Sequence, residues 1–160
     1  MILHLFALSA ALALCTQAGT PPLMKPAGEC INAAETKRLA GQSRIDGRIK
    51  AYRDISERYH KAVLGAVARK DFAEVPSLIA CWKQRIEVSQ EDIEANVNRK
   101  KKSGALIDYE IQLRRSVVDL NSARLKAPLD MQEQFESWIA QAIQIRQKFV
   151  DILFQRKESQ

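Results

Sequence analysis

Apolar side chains recur at alternating intervals of four and three residues through most of this chain, and this spacing constrains the fold more than any other feature. In a helix of about 3.6 residues per turn such positions fall on one face, so each run predicts an amphipathic α-helix. Four runs predict four long helices: from Ser43 to about Arg69, from about Pro76 to residues 99–102, from about Ala105 to Leu125, and from Pro128 to near the C-terminal tail.

Short connections between helices of about twenty residues or more predict an all-α fold, an antiparallel up-down-up-down four-helix bundle with an N-terminal arm. Residues 99–104 leave an alternative open. If the helix continued through the lysines, the second and third helices would form one rod, giving a three-helix or extended coiled-coil arrangement. Ser103 and Gly104 after a lysine run favour a turn.

Inner faces of the predicted helices carry most of the aromatic residues, and such a stripe predicts core packing. Its members are Tyr52, Tyr59, Trp82, Phe135, Trp138 and Phe149.

The third helix has two adjacent apolar strips, one through Leu113 and one through Ile107, Val118 and Leu125, which predicts contact with two neighbours. Ser43 and Asp71 are expected to cap the starts of the first and second helices.

The N-terminal eighteen residues predict a secretory signal peptide. An almost unbroken apolar run from Leu5 to Leu14 precedes Thr16-Gln17-Ala18, with small residues where a signal peptidase cleaves. Ten apolar residues are too few to cross a bilayer of about 30 Å, and no transmembrane segment is expected in the mature chain. We expect a signal peptide (1–18), an extended arm that can hold a short helix (19–42), a helical bundle (43–156) and a polar tail (157–160). The protein is then exported, either periplasmic or secreted.

Two cysteines, Cys30 and Cys81, remain after the predicted cleavage. An oxidising compartment and an even count without a CxxC pair favour a disulfide over a metal or redox site. On the chain-entropy model, closing a loop of roughly fifty residues stabilises the fold by about 4 kcal/mol.

Basic residues concentrate around the predicted turn. The chain carries a formal net charge of +6, none of it from residues 1–18. Six residues predict a patch for an anionic partner such as lipid headgroups, envelope phosphates or an acidic protein: Arg99, Lys100, Lys101, Lys102, Arg114 and Arg115. A solvated helix end is the alternative interpretation. Nucleic acid would also be attracted, but export argues against it as a partner.

Catalytic signatures are missing from the sequence. No GxSxG, HExxH, Walker-type or GxGxxG motif occurs, and His60 is the one histidine left after the predicted cleavage. We expect no enzyme and no cofactor, and an unidentified envelope protein or anionic surface as partner. One alternative is a metal-binding bundle, because Glu57 and His60 share a helix face as in carboxylate-bridged metal bundles. The other is a periplasmic holdase, for which a homo-oligomer is expected.

Overall fold

The structure is a computed structural model that describes residues 30–99 and 101–154. Within those residues all regular structure is α-helical, which confirms the predicted all-α class. Five helices occur there: α1 (Ala33–Ala40), α2 (Ile45–Arg69), α3 (Val75–Asn96), α4 (Gly104–Arg124) and α5 (Leu129–Phe154). The predicted signal peptide, residues 19–29 of the arm, Lys100 and the tail at 157–160 lie outside the described residues.

The four long helices pack as a bundle in a defined set of pairs. Helix α2 packs against α3 and α4, and α5 packs against the same two helices, whereas α-carbons of α3 and α4, and those of α2 and α5, stay more than 8 Å apart in the described chain. Arg48 near the start of α2 pairs with Asp92 near the end of α3, so these helices run antiparallel. Arg53 of α2 pairs with Asp108 near the start of α4, so these two run parallel.

Side chains from all four long helices form one core. The six aromatic residues predicted on inner faces are all buried, and Trp82, Phe135 and Phe149 are almost completely so. The ring of Phe149 lies 5.2 Å from that of Tyr109, and Phe135 packs edge-on against Trp138. Burial of these rings together with the aliphatic side chains around them drives the helices to pack against one another.

Helix α1 is short and is held against α2 by specific contacts. Asn32 and Glu35 form a capping box at its start, and Glu35 also accepts a hydrogen bond of 2.7 Å from the Arg58 guanidinium. The predicted disulfide is present: Cys30 and Cys81 are joined with an S–S distance of 2.03 Å. The Tyr59 hydroxyl donates a hydrogen bond of 2.7 Å to the Cys30 carbonyl, so the arm is fixed to both α2 and α3.

Helix starts differ from the predicted ones. Helix α2 begins at Ile45 with Arg44 as its N-cap, and α3 begins at Val75 with Glu74 as its N-cap; neither side chain makes a capping hydrogen bond, so the predicted Ser43 and Asp71 caps are wrong. The Asp46 carboxylate instead accepts a hydrogen bond of 2.6 Å from Ser103, the N-cap of α4. This contact between distant parts of the chain replaces the predicted local one.

The segment between α3 and α4 is a turn and not a continuous helix. Helix α3 ends at Asn96 and α4 begins at Gly104, so the described residues between them interrupt the rod. The Ser103 hydroxyl accepts a hydrogen bond from the Leu106 backbone N–H, which defines the start of α4. Nowhere in residues 30–99 or 101–154 does a helix have the length and apolarity needed to cross a membrane.

The second apolar strip of α4 does not pack as predicted. Val118 is 61% exposed and Leu125 is 72% exposed. Helix α4 does contact two neighbours. At the edges of these contacts, polar side chains form ion pairs: Asp108 pairs with α2 and Glu110 pairs with α5. The positions of these residues on the helix therefore predicted more apolar contact for α4 than the packing provides.

Candidate functional site: two grooves beside helix α4

The predicted basic patch is divided between two grooves on opposite sides of α4. Arg114 lines a groove between α4 and α5, and Arg115 lines a groove between α2 and α4. Consecutive residues of an α-helix point about 100° apart, which is why neighbours in sequence face different partners. Arg114 and Arg115 therefore line different grooves, and the prediction that they bind one anionic partner stays a prediction.

The α4–α5 groove has an apolar floor and a basic rim. It has a volume of about 330 Å³. Its lining comprises Lys102, Ile107, Glu110, Arg114, Arg146, Val150, Leu153 and Phe154. The Lys102 ammonium lies 5.9 Å from the centre of the Phe154 ring, so a cation borders apolar surface at the end of the bundle.

Glu110 provides the one carboxylate among the residues lining the α4–α5 groove. Its side chain is 11% exposed and accepts a hydrogen bond of 2.6 Å from Arg146 Nε on α5, while Arg114 Nη2 lies 4.0 Å away. The closer guanidinium thus belongs to Arg146 on the neighbouring helix and not to Arg114 on the same helix. With Lys102 at the other end, three cations face one anion, and the groove carries excess positive charge.

The remaining residues of the predicted patch lie at the end of the bundle. Arg99, Lys101 and Lys102 are exposed in the segment between α3 and α4, and Lys100 lies outside the described residues. Because Lys102 also lines the α4–α5 groove, this basic segment and the groove form one continuous surface, which we call the basic end. The cations of the basic end are Arg99, Lys101, Lys102, Arg114 and Arg146.

The α2–α4 groove is larger, with a volume of about 540 Å³, and its charges are matched. Arg53 lies 3.6 Å from Asp108, and Lys61 lies 2.7 Å from Glu57. Cations and anions alternate along this groove, so it has no strong preference for a ligand of either sign.

His60 lies in the α2–α4 groove and is only 8% exposed. Its Nε2 atom is 3.4 Å from Asp119 Oδ2, but the geometry is not that of a hydrogen bond, and the buried nitrogen has no hydrogen-bond partner. Burial lowers the pKa of His60, and this effect outweighs the opposing attraction of Asp119 and Glu57. The imidazole is therefore neutral at pH 7.

The predicted metal candidates Glu57 and His60 line the same groove, as their spacing implied. The Glu57 carboxylate pairs with Lys61, however. No group of three His, Cys, Asp or Glu side chains that could hold a metal ion occurs in the described ranges. Asp119 lies beside His60 in this groove, but it does not form such a group with Glu57 and His60 in the described residues.

A buried polar cluster interrupts the aromatic core. Trp82 Nε1 donates a hydrogen bond of 2.9 Å to Ser56 on α2, and the Ser89 and Tyr109 hydroxyls lie 2.9 Å apart. Burial raises the pKa of Tyr109, which keeps its phenol neutral. Ser116 bonds to Gln112 on its own helix. These hydroxyls are engaged with core partners, so the cluster positions the helices against one another.

No protein-family model, curated protein or solved structure matches this chain in the three comparisons made. Its function therefore has to be inferred from its own residues. Of the two grooves, the α4–α5 groove combines excess positive charge with an apolar floor, whereas the α2–α4 groove has paired charges. The basic end, which includes the α4–α5 groove, is therefore the better candidate for binding.

Proposed function

We propose that this protein is an exported, non-enzymatic helical-bundle module that binds an anionic partner of the cell envelope through its basic end. One observation carries the proposal: Lys102, Arg114 and Arg146 surround a groove in which Glu110 is the one carboxylate among the lining residues. The signal peptide predicted at residues 1–18 supplies the envelope location. Fractionation should find a mature chain that begins at Gly19, and an uncut chain in the cytosol would contradict the export.

Electrostatics supports this assignment. A Lys or Arg close to an anionic membrane surface contributes about 1 kcal/mol of attraction at physiological ionic strength. Lys101 and Lys102 are both exposed, and they adjoin the groove cations. Several such residues on one end of the bundle give useful affinity, whereas isolated lysines elsewhere do not, because screening limits each charge to its near surroundings.

The proposed fold is an up-down-up-down four-helix bundle. Its support is the direction of the cross-helix contacts, antiparallel for Arg48 with Asp92 and parallel for Arg53 with Asp108. Alternating directions place the starts of α2 and α4 at one end, where Ser103 bonds to Asp46. The basic end belongs to that end of the bundle, together with the C-terminal part of α5 that lines the groove.

The test is association with vesicles containing phosphatidylglycerol, compared with vesicles of phosphatidylcholine alone. We expect binding to the anionic vesicles and a loss of at least about tenfold in the Lys101→Glu/Lys102→Glu variant. A matched control, Lys37→Glu/Lys126→Glu, makes the same change of charge at exposed sites outside the basic end. Equal losses in both variants, or no loss in either, would contradict the proposal, provided that circular dichroism shows unchanged helicity.

A further inference from the structure

The α4–α5 groove has an apolar floor that a purely electrostatic patch would not need. Val150 and Leu153 line it and are half-buried, while Ile107 and Phe154 remain exposed at its edges, Phe154 to 71%. Apolar surface of this kind gains free energy when another apolar group covers it. The groove therefore suits a ligand with an apolar part as well as a charge.

The size of the groove favours a small ligand over a protein partner. Its volume of about 330 Å³ is at the lower end of the range for small-molecule sites. A stable protein interface buries about 800 Å² on each partner, far more than four apolar side chains in a narrow groove provide. A single alkyl chain lying between α4 and α5 fits these dimensions.

The charges of the groove select the sign of the ligand. Lys102 lies at one end, and Arg114 and Arg146 lie at the other, with Glu110 already bonded to Arg146. A carboxylate attached to the alkyl chain would be attracted to these cations. A quaternary ammonium on the same chain would be repelled by them.

We propose that the α4–α5 groove binds a free single-chain fatty acid, with the alkyl chain against Val150 and Leu153 and the carboxylate at the basic rim. This inference rests on the proposed function, since it names the class of anionic partner that the same surface accepts. It adds that the partner is held as a monomer in a groove and not only as a charged surface.

Isothermal titration calorimetry with decanoate, below the concentration at which it forms micelles, tests the inference. We expect one saturable site per chain and affinity at least about tenfold higher for decanoate than for decyltrimethylammonium, which has the same alkyl length. Affinity should rise roughly tenfold for each two methylene groups from hexanoate to decanoate, as expected for burial of the chain. Absence of a saturable site, or equal affinity for both signs of ligand, would overturn the inference.

Substitutions inside and outside the α4–α5 groove test where decanoate binds. Val150→Asp places a charge on the groove floor and should weaken decanoate binding more than tenfold, whereas Val118→Asp, at an exposed valine outside the groove, should leave it unchanged. If Val150→Asp does not fold, Lys102→Glu at the exposed rim replaces it and should weaken binding about tenfold. Unchanged decanoate binding in the folded groove variant would overturn the inference.

Vesicle binding separates the two proposals. Anionic vesicles that bind while decanoate does not would refute the fatty-acid groove and leave the proposed function standing. Decanoate that binds to the groove while vesicles do not would refute the surface-binding function and leave the groove as a site for free ligands. Each proposal thus has its own readout.

Discussion

The two grooves beside α4 contain similar residue types but arrange their charges differently. In the α2–α4 groove, which lies between parallel helices, Arg53 faces Asp108 and Lys61 faces Glu57. In the α4–α5 groove, which lies between antiparallel helices, Arg114 and Arg146 share one carboxylate, that of Glu110. The comparison shows that the number of carboxylates beside the cations, and not the number of basic residues, determines where a basic surface remains available.

The grooves also differ in the state of their most buried ionisable side chain. Glu110 is buried and accepts a hydrogen bond from a guanidinium on the neighbouring helix. His60 is equally buried, but its Nε2 atom has no hydrogen bond. We therefore expect the α4–α5 groove to depend on a charge pair for stability and the α2–α4 groove to respond to pH.

Removing the charge of Glu110 should have the largest effect on stability. Glu110→Gln leaves the Arg146 guanidinium without its anion, and we expect the free energy of unfolding to fall by about 2 kcal/mol. The corresponding change in the other groove, Asp119→Asn, affects a carboxylate that is 49% exposed and should cost less than about 0.5 kcal/mol. Urea denaturation measures both values. Equal losses would show that the two grooves do not differ as described.

Reversing the charge of either of the two adjacent arginines should show which groove contributes to binding. We expect Arg114→Glu to weaken association with anionic vesicles by about tenfold, because it adds a second anion to the α4–α5 groove. Arg115→Glu makes the same charge change one residue away but in the other groove, and we expect a loss of less than about threefold. A larger loss for Arg115→Glu would reverse the assignment of the binding surface.

Acidification should destabilise the protein through His60. Its pKa is lowered in the folded state, so the unfolded chain binds the proton more readily, and stability falls as the pH decreases below the unfolded value of about 6.5. The slope for one proton is at most about 1.4 kcal/mol per pH unit. Three charged groups influence this titration: Asp119, Glu57 and Lys61.

The matched variant for this measurement is His60→Gln, which keeps a polar side chain but does not titrate. Unfolding between pH 7 and pH 5 should show a weaker pH dependence in His60→Gln than in the natural sequence. Identical slopes would mean that His60 is already as accessible to protons as in the unfolded chain, in conflict with its burial.

The smallest effect is expected for substitutions in the second apolar strip of α4. Val118→Ser and Leu125→Ser change side chains that are 61% and 72% exposed, and each should alter the free energy of unfolding by less than about 0.5 kcal/mol. Binding in either groove should also be unchanged. A loss of stability that depends on protein concentration would instead show that this strip is covered by a second copy of the chain.

Periodicity in the sequence was sufficient to predict the helices and much of the core. Trp82, Phe135 and Phe149 are buried as predicted, because regular spacing on a long helix determines which face is apolar. Ser56 and Ser89 fall at the same spacing as the apolar residues of α2 and α3 and are buried with them, so a serine on an apolar face was the available signal of the polar cluster. Helix starts were less predictable, since Ser103 bonds to Asp46 from a distant segment.

The grooves depend on tertiary packing that residue spacing does not contain. The 100° rotation between Arg114 and Arg115 could have been recognised from the sequence, and it would have divided the predicted patch. The partners Arg146 and Asp119 could not, because they depend on which helix packs beside α4 and in which direction. Glu57 and His60 were predicted correctly to share a face, since both belong to one helix.

The separation of the α3 and α4 backbones, whose α-carbons stay more than 8 Å apart in the described chain, has a consequence for folding. Helices α2 and α3, and likewise α4 and α5, meet through residues close to a common turn, so each hairpin can form early from contacts of short sequence separation. Contacts between the hairpins join residues more distant in the chain, such as Glu87 and Gln141, which are 54 positions apart. The entropic cost of loop closure therefore arises mainly when the two preformed hairpins dock against each other.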